Sequence, residues 1–197
     1  MDLAESQLEL ARRHAAENKI QNVRFISGSI YELPFAGETF DVVFSHTVFE
    51  HLKEPVSALR EIRRVLKPGG IVALRSPDWA GFIVHPLSPA LKGALELFQR
   101  IQLANGGDVL AGRKLKDWAE TAGFRGAKWS GSYDHTDDIP GIAEFLACQL
   151  ELHGNNGGSS LDRNTLAEYI SAYRQLPSQP GALFAASFGE LIASKNG

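Results

Sequence analysis

The sequence predicts an α/β protein built on a doubly wound, mostly parallel sheet, and three observations in one stretch carry that prediction. Phe40 to Phe44 is a continuous apolar run ending at Ser45, which suits a strand buried on both faces. Val56, Leu59, Ile62 and Leu66 then recur at helical spacing and give the next segment one apolar face. Lys67-Pro68-Gly69-Gly70 stops that helix, and Ile71 to Leu74 reads as a second strand. Strand, helix and parallel strand together make a right-handed crossover unit.

The rest of the chain can be read in order around this unit. Glu5 to Asn18 is predicted as a helix with Leu8, Ala11 and Ala15 inward. Asn22 to Ser27 alternates towards a strand, and Gly37-Glu38 turns the chain into the central run. Trp79 to Leu87 reads as an apolar loop after Pro77-Asp78. Leu91, Ala94, Leu95, Phe98 and Ile101 form a helical stripe that Asn105-Gly106-Gly107 ends. Lys114 to Ala122 is a helix with Gly123 at its left-handed cap, and Ala127 to Tyr133 a strand. Asp137 or Asp138 caps a helix facing inward through Ile139, Ile142, Phe145, Leu146 and Leu150. Gly154 to Ser160 reads as a flexible loop, Leu161 to Leu176 as a helix, and the stretch after the Pro177 to Gly181 break as the last strand.

At 197 residues one domain, 1–197, is the natural reading. A net charge of -3 gives no reason to expect general nucleic-acid binding. Arg60, Arg63, Arg64 and Lys67 form a basic stripe that reads as a solvated helix face, interrupted by Glu61. The single cysteine, Cys148, excludes an internal disulfide and fits a reducing, cytoplasmic setting. No apolar run spans a bilayer, and the N-terminus has no signal-peptide pattern. His14, His85, His135 and His153 show no metal-ligand spacing, so no metal is expected.

The run Phe-Asp-Val-Val-Phe-Ser-His-Thr-Val-Phe-Glu-His-Leu from Phe40, followed by Arg-Val-Leu-Lys-Pro-Gly-Gly from Arg64, closely resembles the class I S-adenosylmethionine-dependent methyltransferases. Within them it is most similar to the ubiquinone- and menaquinone-biosynthesis type. Leu33-Pro34-Phe35 and the Ala-Gly-Phe at Ala122 fit the same pattern. The resemblance implies a Rossmann-like fold with an antiparallel last strand, S-adenosylmethionine as cofactor, and methyl transfer to a small, apolar organic acceptor. It divides the domain into a cofactor side (1–77), a middle part with acceptor-covering insertions (78–181) and the last strand (182–197).

The resemblance also assigns roles. Asp2 matches the acidic residue that meets the cofactor ribose, against the plainer role of a helix cap. Gly28, Ser29 and Ile30 match the adenine end, with Ser29 where many members carry aspartate. Ser45 and His46 end the central strand, where open α/β sheets place ligand contacts. His46 and His51 are the candidate catalytic bases, because imidazole titrates near neutrality; packing or capping is the commoner use, and Glu50 is a weaker candidate. Trp79, Phe82, Ile83, Phe98 and the helix from Ile139 to Leu150 match acceptor-covering segments and suit core packing equally well.

The family's first strand and glycine-rich loop have no counterpart, since the resemblance enters after them. Truncation or natural degeneracy is the expectation, and with it poor stability, a homo-oligomer through exposed sheet edges, or a partner supplying the missing piece. The alternative function is a non-catalytic interaction module. A nicotinamide-dependent dehydrogenase is disfavoured, because nothing matches the dinucleotide fingerprint.

Overall fold

A computed structural model describes residues 1–135, 137–155 and 162–196. In chain order the elements are α1 (Glu5–Glu17), β1 (Phe40–His46), α2 (Pro55–Val65), β2 (Leu66–Pro77), β3 (Ile83–His85), α3 (Pro89–Ala104), α4 (Ala111–Thr121), β4 (Arg125–His135), α5 (Ile139–Asn155), α6 (Arg163–Gln175) and β5 (Leu183–Ser194). β1 and β2 pair in parallel, Val43 beside Val72 and Ser45 beside Leu74. β5 then runs antiparallel to β2, β3 and β4. The α/β class and the antiparallel last strand are therefore as expected, while the single parallel ladder among the named strands is β1–β2.

The crossover unit forms as its sequence demands. Pro55 opens α2 in the first turn, where its missing N–H costs nothing. Ala58, Leu59, Ile62 and Val65 line the buried face of α2. Gly69 adopts a positive φ of 76°, a conformation open to glycine at no steric cost. The expected stop is thus absorbed into β2, which begins directly at Leu66.

Two cores hold the fold. α2 and α4 cover one face of the sheet, where Leu59, Ile62, Leu115 and Phe124 pack on Val72, Leu74 and Leu191. α3, α5 and α6 enclose a second cluster around Leu97, Leu150, Tyr173 and Phe184. Gly112 of α4 and Gly189 of β5 touch backbone to backbone, and a Cβ on Gly189 would overlap the Gly112 carbonyl.

The opposite face of the β1–β2–β5 sheet is open. Val42 and Phe44 are 57% and 67% exposed, and Ile71 and Ile192 lie uncovered beside them. The strand registers make these side chains contiguous: Val42 stands next to Ile71, Phe44 next to Ala73, and Ala73 next to Ile192.

Two sequence expectations are corrected. Asn22 to Ser27 does not form a strand; its trace is one parallel bridge, Asp2 to Ser27. Alternation alone cannot hold a strand without a neighbouring ladder. The apolar loop from Trp79 contains β3, whose three residues are strand only because β5 pairs with them. Asp138 is the cap of α5, its Oδ1 accepting the Gly141 N–H at 2.9 Å. The expected glycine–serine loop lies outside the described residues from 156 onward. Among the described residues, no helix is long and apolar enough to cross a membrane.

Candidate functional site

A cleft of about 1150 Å³ runs along the unpaired side of β1. One wall is β1 itself and the turn after it; the other is Met1 to Leu3 with the Gly28 to Phe35 segment. The Asp2–Ser27 bridge forms that second wall: Asp2 N–H donates to the Ile26 carbonyl at 3.3 Å and Gly28 N–H to the Asp2 carbonyl at 3.1 Å.

Of the residues singled out from sequence, Asp2, Gly28, Ile30, Ser45, His46 and His51 all line this cleft. They come from positions 49 residues apart in the chain, and the fold brings them to one cavity. Ser29 does not line it; its Oγ accepts the Tyr31 N–H at 3.2 Å. Asp2 Oδ1 accepts the Ala4 N–H at 2.8 Å, while Ala4 itself occupies the N-cap position of α1. The carboxylate thus stabilises the chain just before the helix and also faces the cleft.

Ser45, next to the end of β1, has its side chain on the helix-covered face. It is 9% exposed, and among the described residues its hydroxyl has no hydrogen-bond partner. A buried hydroxyl left unpaired is costly, so its position in the cleft wall marks a contact that a ligand can complete.

His46 faces the open side of the sheet. Its Nε2 lies 3.0 Å from Arg75 Nη1, and because guanidinium only donates, Nε2 accepts. Arg75 is held by Glu190 at 3.1 Å, by Asp134 at 2.7 Å and over the Phe188 ring at 3.7 Å. His51 lies in the short turn Phe49–His51, with Gln102 Nε2 at 2.6 Å from its Nδ1. The same Gln102 nitrogen donates to the Glu50 carbonyl at 3.1 Å, which fixes the amide's orientation. Nδ1 therefore accepts and the neutral ring carries its proton on Nε2. In this arrangement the lone pair of each imidazole is engaged, and base catalysis by either requires its partner to move first.

Sequence reasoning passed over Gln102, Ser76 and Arg75, because they meet the site only through tertiary packing. Glu50 was legible within the same motif as His51. Its carboxyl is buried, and burial pushes it above the usual carboxylate range, against the hydrogen bond from Ser76 and the two imidazoles. The aromatic residues Trp79, Phe82 and Phe98 stack on one another, with ring centroids 4.4 and 4.7 Å apart, as part of the second core.

A family model described as a methyltransferase domain matches residues 1–74. A curated methyltransferase of Schizosaccharomyces pombe, itself uncharacterised, is 43% identical over 108 residues, 55% of this chain and 38% of that protein. The demethylmenaquinone methyltransferase of Lactococcus lactis is 30% identical over 164 residues, 81% of this chain and 60% of that protein. The chain thus spans less than two thirds of the length of these relatives. Among solved structures, Haemonchus contortus phosphoethanolamine N-methyltransferase 2 with S-adenosylhomocysteine has a TM-score of 0.56 at 20% identity, over 100% of this chain and 43% of that one. A Bacillus halodurans protein assigned as a methyltransferase has a TM-score of 0.61 at 19% identity, over 100% of this chain and 81% of that one. At such identities these structures share the fold.

The cleft residues fit S-adenosylmethionine on chemical grounds. The Asp2 carboxylate suits ribose hydroxyls, the apolar Ile30, Leu33 and Phe35 suit a flat base, and the unpaired Ser45 hydroxyl suits a polar tail. The motif from Phe40, the β1–α2–β2 unit that carries it, the domain model over residues 1–74 and the relatives agree in one respect: this chain is similar to the class I S-adenosylmethionine-dependent methyltransferases.

Proposed function

We propose that this chain carries out S-adenosylmethionine-dependent methyl transfer to a small, apolar organic acceptor, with residues 1–77 forming the cofactor side. The observation that carries the reading is the convergence of Asp2, Gly28, Ile30, Ser45, His46 and His51 on one cleft along β1. When bound, S-adenosylmethionine supplies a methyl group already activated by its sulfonium, so the protein has mainly to position donor and acceptor in line.

The chain's own residues divide that work. Asp2 and Gly28 hold the nucleoside end, Gly28 presenting bare backbone to it. Ser45 takes a polar group of the methionine end. His46 and His51 shape the reacting end and handle a proton where the acceptor must lose one, once Arg75 or Gln102 releases the ring. Phe44, Val48 and Leu52 give that end an apolar wall, which supports an apolar acceptor. The single cysteine supports a cytoplasmic setting. The unpaired β1 edge supports self-association of this chain.

Titration calorimetry of residues 1–197 with S-adenosylhomocysteine tests the reading. We expect saturable binding in the micromolar range. The absence of binding, in a sample shown to be folded by circular dichroism, overturns it.

A further inference from the structure

The turn Phe49–His51 holds two neighbouring residues with different fates: His51 in the cleft wall and Glu50 buried behind it. Glu50 is 3% exposed. The other deeply buried carboxylate, Asp78, is neutralised by a two-pronged ion pair to Arg113 at 2.6 and 2.7 Å. Glu50 has no such partner: among the described residues its one ion-pair contact is His51 Nε2, at 3.7 Å from Oε1. Its other oxygen accepts the Ser76 hydroxyl at 2.7 Å.

The position is built rather than incidental. The Glu50 carbonyl receives both Asp108 N–H, at 2.8 Å, and Gln102 Nε2, at 3.1 Å. Gln102 also pins the His51 ring as the Nε2–H tautomer, so the neutral imidazole, 3.7 Å from Glu50 and beyond hydrogen-bond reach, leaves the carboxylate's charge uncancelled. A charge unmatched by lysine or arginine is expensive inside a protein, and such groups mark functional positions. In a low-dielectric wall its field reaches the neighbouring cavity with little screening.

We propose that Glu50 is a positioning residue that makes the His51 end of the cleft select a positively charged ligand centre. The inference rests on the methyl-transfer reading of the cleft, in which that centre is the sulfonium. Glu50 acts through its field, while Gln102 holds the His51 ring.

The test compares S-adenosylmethionine, a sulfonium cation, with S-adenosylhomocysteine, its neutral thioether, by titration calorimetry on the wild-type chain, Glu50→Gln and Glu50→Asp. Glu50→Gln is expected to weaken S-adenosylmethionine about tenfold and S-adenosylhomocysteine less than about twofold. Glu50→Asp keeps most of the wild-type preference. A merely structural role predicts equal losses for both ligands, and an unchanged ratio overturns the proposal. Glu50→Leu reads the same ratio should the glutamine variant fail to fold. Binding of neither ligand to the wild-type chain sinks the methyl-transfer reading and this inference together. Binding of both with a ratio indifferent to Glu50 sinks only the inference.

Discussion

In the proposed reading, Ser45 and Glu50 are side chains costly to the fold and useful to the site. Ser45 buries a hydroxyl with no partner among the described residues. Ser45→Ala is therefore expected to leave the ligand-free chain as stable, or more stable by about 1 kcal/mol. The same change should weaken S-adenosylhomocysteine about five- to tenfold, the value of one hydrogen bond. Thermal melts and calorimetry check the two halves, and a destabilised variant with unchanged affinity would refute the assignment. Glu50 behaves similarly, with a pH signature. Burial raises its carboxyl above the ordinary value in the folded state. Its contribution is then fully present below the unfolded carboxylate range and is lost as pH rises through the raised folded value. Glu50→Gln should accordingly raise the melting temperature, by a margin that grows from acid to neutral pH. A constant margin would mean that folding leaves the carboxyl's affinity for its proton unchanged.

At the scale of elements, the α4–β5 contact depends on two residues with no side chain. Gly189→Ala would drive a methyl into the Gly112 carbonyl, and we expect a loss of about 3 kcal/mol, read by denaturant titration. The sequence announced α2, α4, β1, β2 and β5, because each buries a run or stripe that its neighbours cannot disguise. It did not announce this contact, since a glycine's use depends on what approaches it. Nor did it reveal β3, whose Ile83 to His85 are strand only through β5. Asn22 to Ser27 failed in the opposite sense: the alternation was real, but no ladder formed beside it. The same logic divides the site. Asp2, Gly28, Ile30, Ser45, His46 and His51 were legible through a local motif, whereas Gln102 reaches His51 across 51 positions and left no local mark.

For the whole molecule, the imbalance between the two faces of the sheet dominates. α2 and α4 cover one; Val42, Phe44, Ile71 and Ile192 leave the other apolar and open. A contiguous patch beside an unpaired strand edge favours association. Sedimentation of the wild-type chain should show concentration-dependent self-association. Phe44→Lys, at an already exposed position, should reduce it without lowering the melting temperature. If Phe44→Lys associates as strongly as wild type, the patch is not the contact surface.

The place of β5 has a consequence for how the protein is made. Residues 183–194 lie between β2 on one side and β4 on the other, and β3 pairs with them too. The strand that joins every other ladder to the β1–β2 pair is also the last of the named strands in chain order. During synthesis, β4 waits without its partner until Ser194 has cleared the ribosome's exit tunnel. Until then, of the ladders among the named strands, β1–β2 alone can form. A ribosome that stalls before Leu183 holds half a sheet, and quality-control factors would meet the protein in that form.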